Sequence, residues 1–183
     1  MTEKNDTKQL IDRLEATRNL SRDEWIRLIQ NRTADDADYL FERAQAVRTR
    51  HYGRSVYIRG LIEFTNYCKN DCFYCGIRKS NRNANRYRLT KEQILSCCEM
   101  GYALGFRTFV LQGGEDGSFT DDRLTDIISS IRTRWRACAI TLSVGERSYE
   151  SYKRLYDAGA NRFLLRHETY DDTHYGKLHP PAL

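Results

Sequence analysis

Along this chain apolar residues first recur at helical spacing and then, past Gly53, fall into short runs separated by longer amphipathic stretches. In the first part, Gln9 to Leu14 carries apolar positions at helical intervals. Ser21-Arg22-Asp23-Glu24 then has the form of a capping box ahead of Trp25, Ile26, Leu28 and Ile29. A third helix is predicted from about Ala34 through Tyr39, Leu40, Ala44 and Val47, ending before Gly53. Residues 1–52 therefore read as a helical segment, and residues 53–183 as a second region with a different texture.

That second region alternates strand-like and helix-like stretches. The strands are predicted at Val56 to Phe64, Thr108 to Leu111, Ala139 to Leu142 and Arg162 to Leu165. Between them lie helices at about Lys91 to Leu104, capped by Thr90, at Asp121 to Trp135, and at Ser148 to Ala158, stopped by Gly159. Strands joined by crossover helices form a parallel sheet. The fold class is thus α/β.

The unusual residues all fall just past the ends of these strands. Cys68, Cys72 and Cys75 follow the first, Gln112-Gly113-Gly114-Glu115 the second, Ser143-Val144-Gly145-Glu146 the third, and Arg166-His167-Glu168 the fourth. Ligands and catalytic groups gather at that edge of parallel barrels and open α/β sheets. Four such coincidences predict one site.

Composition narrows the picture. With 183 residues, 40% hydrophobic and 30% charged, the chain can bury one ordinary core but not two large ones. Its net charge of +5 is dispersed, which favours solubility and gives no reason to expect nucleic acid. The start, Met1 to Asp6, is polar, and no apolar run is long enough to span a membrane, so a cytoplasmic protein is expected. In that compartment six cysteines are not expected to pair as disulfides. Cys97, Cys98 and Cys138 read as small buried hydrophobes.

The C-x3-C-x2-C trio is different, because three thiolates in one short loop can converge on an iron-sulfur cluster. A 4Fe-4S cube is usually held by four cysteines, so a loop supplying three leaves one iron open. The competing reading is a zinc-binding module, whose tetrahedron would need His51 or a distant cysteine to close it. Gly113 and Gly114 remove side chains where a ligand would approach the backbone, or mark a plain turn. Glu115 could receive an ammonium. Glu146 and Arg166 suit hydroxyl and carboxylate groups of a ligand, although they could be surface charges or pair with each other. His167 and Glu168 are candidates for substrate contact or for ordinary structural hydrogen bonds. The basic run Arg78, Lys79, Arg82, Arg86, Arg88 reads as a solvated loop able to attract an anion or an acidic electron donor.

Cys68-x3-Cys72-x2-Cys75 with Tyr74 before the last cysteine, followed by Gly-Gly-Glu after the second strand, resembles the radical SAM superfamily. Ile58 to Phe64, Arg86-Tyr87-Arg88, Thr141 to Glu146 and Arg162 to Thr169 are similar to FeFe-hydrogenase maturases of the HydE type. Biotin synthase and methylornithine synthase share the general pattern. The resemblance implies a (β/α) barrel of the TIM type whose Cys68, Cys72 and Cys75 ligate a 4Fe-4S cluster, the fourth iron chelating S-adenosylmethionine. It also implies that Glu115 with Gly113 and Gly114 binds the methionine ammonium, that Tyr74 lies near adenine, and that Glu146 and Arg166 hold ribose and carboxylate. No side-chain acid, base or nucleophile is singled out beyond that site. The implied activity is reductive cleavage to a 5'-deoxyadenosyl radical acting on a small-molecule or organometallic substrate. A one-electron donor protein and other hydrogenase maturases are the implied partners.

A complete eight-unit barrel takes roughly 250 residues, whereas only four strand-helix units are predicted. The expectation is therefore a partial barrel, a truncated chain with strands one and four as exposed edges, holding site residues without competent turnover.

Overall fold

The computed structural model describes residues 3–180; the polar start at Met1 and Thr2, and Pro181 with the residues after it, lie outside them. Residues up to Tyr57 and residues from Ile58 onward form two compact units.

The first unit is three helices, α1 (Glu3–Thr17), α2 (Arg22–Asn31) and α3 (Ala34–Tyr52). The Ser21 hydroxyl accepts from the Glu24 N–H while the Glu24 carboxylate takes the Ser21 N–H, and Thr33 and Asp36 repeat that exchange at the next helix. Each helix thereby starts with two of its otherwise free N–H groups satisfied. Ile11, Leu20 and Leu28 form a small core, flanked by Leu14, Tyr39 and Leu40.

The second unit is a parallel sheet in the order β1 (Gly60–Thr65), β2 (Thr108–Gly113), β3 (Ala139–Ser143) and β4 (Arg162–Phe163). The crossovers carry α4 (Lys91–Ala103), α5 (Asp121–Arg134) and α6 (Tyr149–Asp157). Thr90, Thr120 and Ser148 cap these helices through their hydroxyls, and Gly159, at φ 119°, ends the last. Strand alternation sends Ile62, Phe64, Phe109, Leu111, Ile140 and Leu142 into one core with Ile94, Leu124, Ile127, Ile128 and Leu155 from the helices. Cys98 and Cys138 are buried in it and Cys97 packs beside it, as the small-hydrophobe reading expects. Four consecutive strand-helix units of this kind are a partial (β/α) barrel, with β1 and β4 at the sheet edges.

Three elements depart from expectation. The first strand begins at Gly60, not Val56, because Val56, Tyr57 and Ile58 are exposed and pair with no strand. The fourth stops at Phe163, although the Leu164 N–H still reaches the Leu142 carbonyl at 2.8 Å; a strand with one neighbour has few ladder bonds to extend it. A further helix, α7 (Asp172–Leu178), follows, capped by Asp171. Its length of 7 residues and its internal Gly176 leave no amphipathic signal to read.

Candidate functional site

The ladder between β1 and β2 shifts between Glu63 and Thr65, a bulge that bends the end of β1 just before the cysteines. The chain then makes a long excursion and returns beside the same strand end. Leu89 N–H donates to the Phe64 carbonyl at 2.7 Å and Tyr87 N–H to the Asn66 side chain at 2.8 Å. These bonds close the neck of the cysteine loop.

Arg86 holds the loop from within. Its guanidinium donates to the carbonyls of Ile77 (2.8 Å), Arg78 (2.6 Å) and Asn81 (3.1 Å), and also to that of Asn66. Arg88 makes a forked bond to Asp116 (2.6 and 2.9 Å) and lies 3.6 Å from the centre of the Tyr67 ring. Part of the basic run is therefore not a solvated surface: two of its arginines fasten the segment that carries the cysteines. Alternating Arg and Asn in sequence gave no sign of it, because backbone carbonyls carry no side-chain signature and Asp116 lies 28 residues from Arg88.

Asp116 is buried and also accepts from the Thr65 hydroxyl at 2.7 Å and from the Ser118 N–H at 3.0 Å. Burial alone would push its carboxyl up. The bonds from Arg88, Ser118 and Thr65, with the guanidinium charge, instead bring it down to about 2.

The strand ends meet this loop closely. A Cβ on Gly114 would stand 2.3 Å from the Tyr67 carbonyl oxygen and 2.7 Å from Cys68 Cβ, and one on Gly113 would meet Thr65 Cγ2 at 2.6 Å. What approaches Gly114 is thus the start of the cysteine loop, and what approaches Gly113 is Thr65 at the end of β1. The Gly114 carbonyl is already taken by the Asp116 N–H at 2.8 Å.

Glu115 is oriented by the same loop. Its Oε1 accepts from Asn70 Nδ2 at 3.0 Å and its Oε2 pairs with Lys69 Nζ at 2.9 Å, while the Lys69 N–H reaches its backbone carbonyl at 2.9 Å. Its side chain lies against Gly145, at φ 77°, where any Cβ would overlap the Glu115 chain at 2.0 Å. Lys69 and Asn70 were not singled out from sequence. Their position inside the C-x3-C spacer was the available signal.

From the far end of the chain, α7 closes on the loop. The Phe73 N–H donates to the Leu178 carbonyl at 2.9 Å, and the Tyr74 hydroxyl stands 3.3 Å from Nε2 of buried His179, which stacks on Tyr175. Burial, then the nearby charges of Cys72 and Glu168, push the Tyr74 hydroxyl up to about 12, and burial raises the Cys72 thiol. Glu168 sits at φ 60°, a strained conformation for a side-chain-bearing residue, with the Thr169 N–H folded back to the His167 carbonyl at 2.6 Å.

One cavity of about 860 Å³ gathers Cys68, Cys72, Cys75, Tyr74, Gly113, Gly114, Glu115, Glu146 and Arg166. Glu168 lines it too, whereas His167 does not. Glu146 and Arg166 do not pair with each other among the described residues. Among those residues no group of three or more His, Cys, Asp or Glu is drawn together around a single ion. The sequence profile of the radical SAM superfamily matches residues 62–182, the span holding every one of these positions. The chain belongs to the radical SAM superfamily.

Members of that superfamily use a 4Fe-4S cluster and S-adenosylmethionine. The chain is 42% identical over 141 residues to the FeFe hydrogenase maturase subunit HydE of Thermotoga maritima, covering 77% of this chain and 40% of that protein. It is 31% identical over 161 residues to 3-methylornithine synthase of Methanosarcina acetivorans, covering 87% of this chain and 45% of that protein. Among solved structures, methylornithine synthase superposes with a TM-score of 0.81 at 28% identity, over 94% of this chain and 51% of that one. HydG, a maturase of the FeFe-hydrogenase, superposes at 0.85 with 25% identity, over 96% and 40%. The chain thus spans about half the length or less of these relatives.

Proposed function

We propose that this chain carries the cluster-binding and S-adenosylmethionine-binding residues of a radical enzyme acting in FeFe-hydrogenase maturation. The observation that supports it is the gathering of the three spaced cysteines and the ends of four parallel strands around one cavity. Cys68, Cys72 and Cys75 would hold three irons of a 4Fe-4S cube, a larger object than a single ion, so its ligands need not converge on one point. When bound, the cluster would supply the single electron for reductive cleavage of the sulfonium.

The chain's own residues bind and orient. Glu115, fixed by Lys69 and Asn70, retains free lone pairs for an ammonium beside Gly113 and Gly114. Glu146 and Arg166 accept ribose hydroxyls and clamp a carboxylate, and Tyr74 borders the adenine. The loop and α7 exclude water from that side. A small-molecule or organometallic substrate, a one-electron donor protein and companion maturases complete the reading, in the cytoplasm. No helix among the described residues is long and apolar enough to cross a membrane. Residues 1–52 act as a separate helical segment ahead of the barrel part.

Anaerobic reconstitution of the 183-residue chain with iron and sulfide tests this reading. About four irons and four sulfides per chain are expected, with a reduced electron paramagnetic signal that changes on adding S-adenosylmethionine. Replacing any of the three cysteines by serine should abolish both. Colourless protein with one zinc per chain and no response to the sulfonium would overturn it. A methylornithine-forming enzyme is the second reading, supported by the 31% identity to that synthase.

A further inference from the structure

The sheet carries a polar row that neither the cysteines nor the nucleotide-binding candidates use. Register sets Glu63 beside Gln112 and Gln112 beside Ser143, on β1, β2 and β3. All three line the cavity. Their strand neighbours Phe64, Leu111 and Leu142 are buried in the core against the helices, so alternation commits the row to the opposite face. Toward the strand starts the next residues on that face, Leu61, Val110 and Thr141, are not part of the cavity lining. The polar row is the cavity floor.

Glu63 is its informative member. Among the described residues no Lys, Arg or His stands within ion-pair distance of it, whereas Glu115 has Lys69 and Asp116 has Arg88. Its side-chain partner is neutral: Gln112 Nε2 donates to Glu63 Oε1 at 3.0 Å. A carboxylate only accepts, so the amide nitrogen must face it, which leaves the Gln112 oxygen free. The pair therefore presents a second carboxylate oxygen and an amide oxygen, with the Ser143 hydroxyl next in line. Two acceptors and an unneutralised negative charge match a cation with several N–H donors. A primary ammonium has three, while a phosphate or carboxylate would be repelled.

We propose that Glu63, oriented by Gln112, binds an ammonium group on the substrate, so that the substrate class is a primary amine. The chemistry done on that amine rests on the radical-enzyme reading; the binding itself does not.

Saturation-transfer NMR on the full chain tests it with butylammonium, butanol and butyrate as probes, with and without reconstituted cluster and S-adenosylmethionine. Butylammonium should be saturated in both states, and butyrate should be excluded once S-adenosylmethionine occupies Glu115 and Arg166, the state in which the two probes and the variants are compared. Glu63→Gln should weaken the amine by at least about tenfold, the scale of one charge-assisted hydrogen bond, while iron content and the response to S-adenosylmethionine stay at wild-type levels. Glu63→Asp, which keeps the charge, should retain part of the binding, and circular dichroism on both variants checks folding. Equal amine binding by wild type and Glu63→Gln, no amine binding, or equal binding of butyrate would overturn the proposal. Failure of the radical-enzyme reading would show separately, as missing iron or a silent spectrum, with amine binding intact on the cluster-free chain.

Discussion

Asp116→Asn offers the sharpest test of how the cysteine loop is fastened. The carboxylate is buried and gathers Arg88, Thr65 and the Ser118 N–H, and its pKa falls from 3.8 to about 2. A group whose folded pKa is depressed contributes stability that is present above the unfolded pKa and lost as pH falls through the folded one. The shift is worth roughly 2.5 kcal/mol at about 1.4 kcal/mol per pH unit. The Arg88 side chain is 35% exposed, so water screens part of the pairing and about 2 kcal/mol is the expected loss at neutral pH. The assay is urea unfolding of the wild type and the variant from pH 7 down to about pH 2. It is read by Trp135 fluorescence in a Trp25→Phe background, because Trp135 packs against the core of the sheet unit. The gap between the two proteins should be full above about pH 4 and close steadily toward pH 2. Other carboxylates are depressed as well, Asp71 by the Ser80 N–H among them, so only the difference between proteins is diagnostic. A gap under about 0.5 kcal/mol, the scale of an ordinary surface change, or one that ignores pH, would refute the assignment.

Gly114→Ala should prevent iron incorporation while leaving α4, α5 and α6 folded, since the added methyl meets the Tyr67 carbonyl and Cys68 rather than the helix side; iron analysis beside circular dichroism checks it. Arg86→Ala removes the donor shared by four loop carbonyls. At about 1–3 kcal/mol for each polar group left unsatisfied, partly regained by hydration, it should leave the loop susceptible to limited proteolysis between Asn66 and Arg86, with the fragment from Lys91 onward intact. Retained wild-type resistance would count against the clamp.

The helices and most strands were legible because their signals are local. Ser21 with Glu24 and Thr90 with Gln93 state helix starts within a few residues, and the short apolar or β-branched runs Thr108 to Leu111 and Ala139 to Leu142 state strands between longer amphipathic stretches. The cysteine spacing and the glycines after β2 were equally plain, since both lie in contiguous chain. Val56 to Ile58 looked like strand and are not, because β-forming side chains need a neighbouring strand to pair with.

The sequence by itself determined the order of elements, the parallel α/β class and the set of residues at the strand ends, all consequences of periodicity and capping over short distances. Only the tertiary structure decided which partner each charge takes. Arg88 and Asp116 are 28 residues apart, and Asn70 and Glu115 are 45 apart. Nothing local distinguishes them from the solvated Arg, Asn and Glu around them. Their roles come from the crossover that brings the end of β2 against the loop after β1, since hydrogen bonds and charge pairing act through space, over a few ångströms, whatever the separation along the chain.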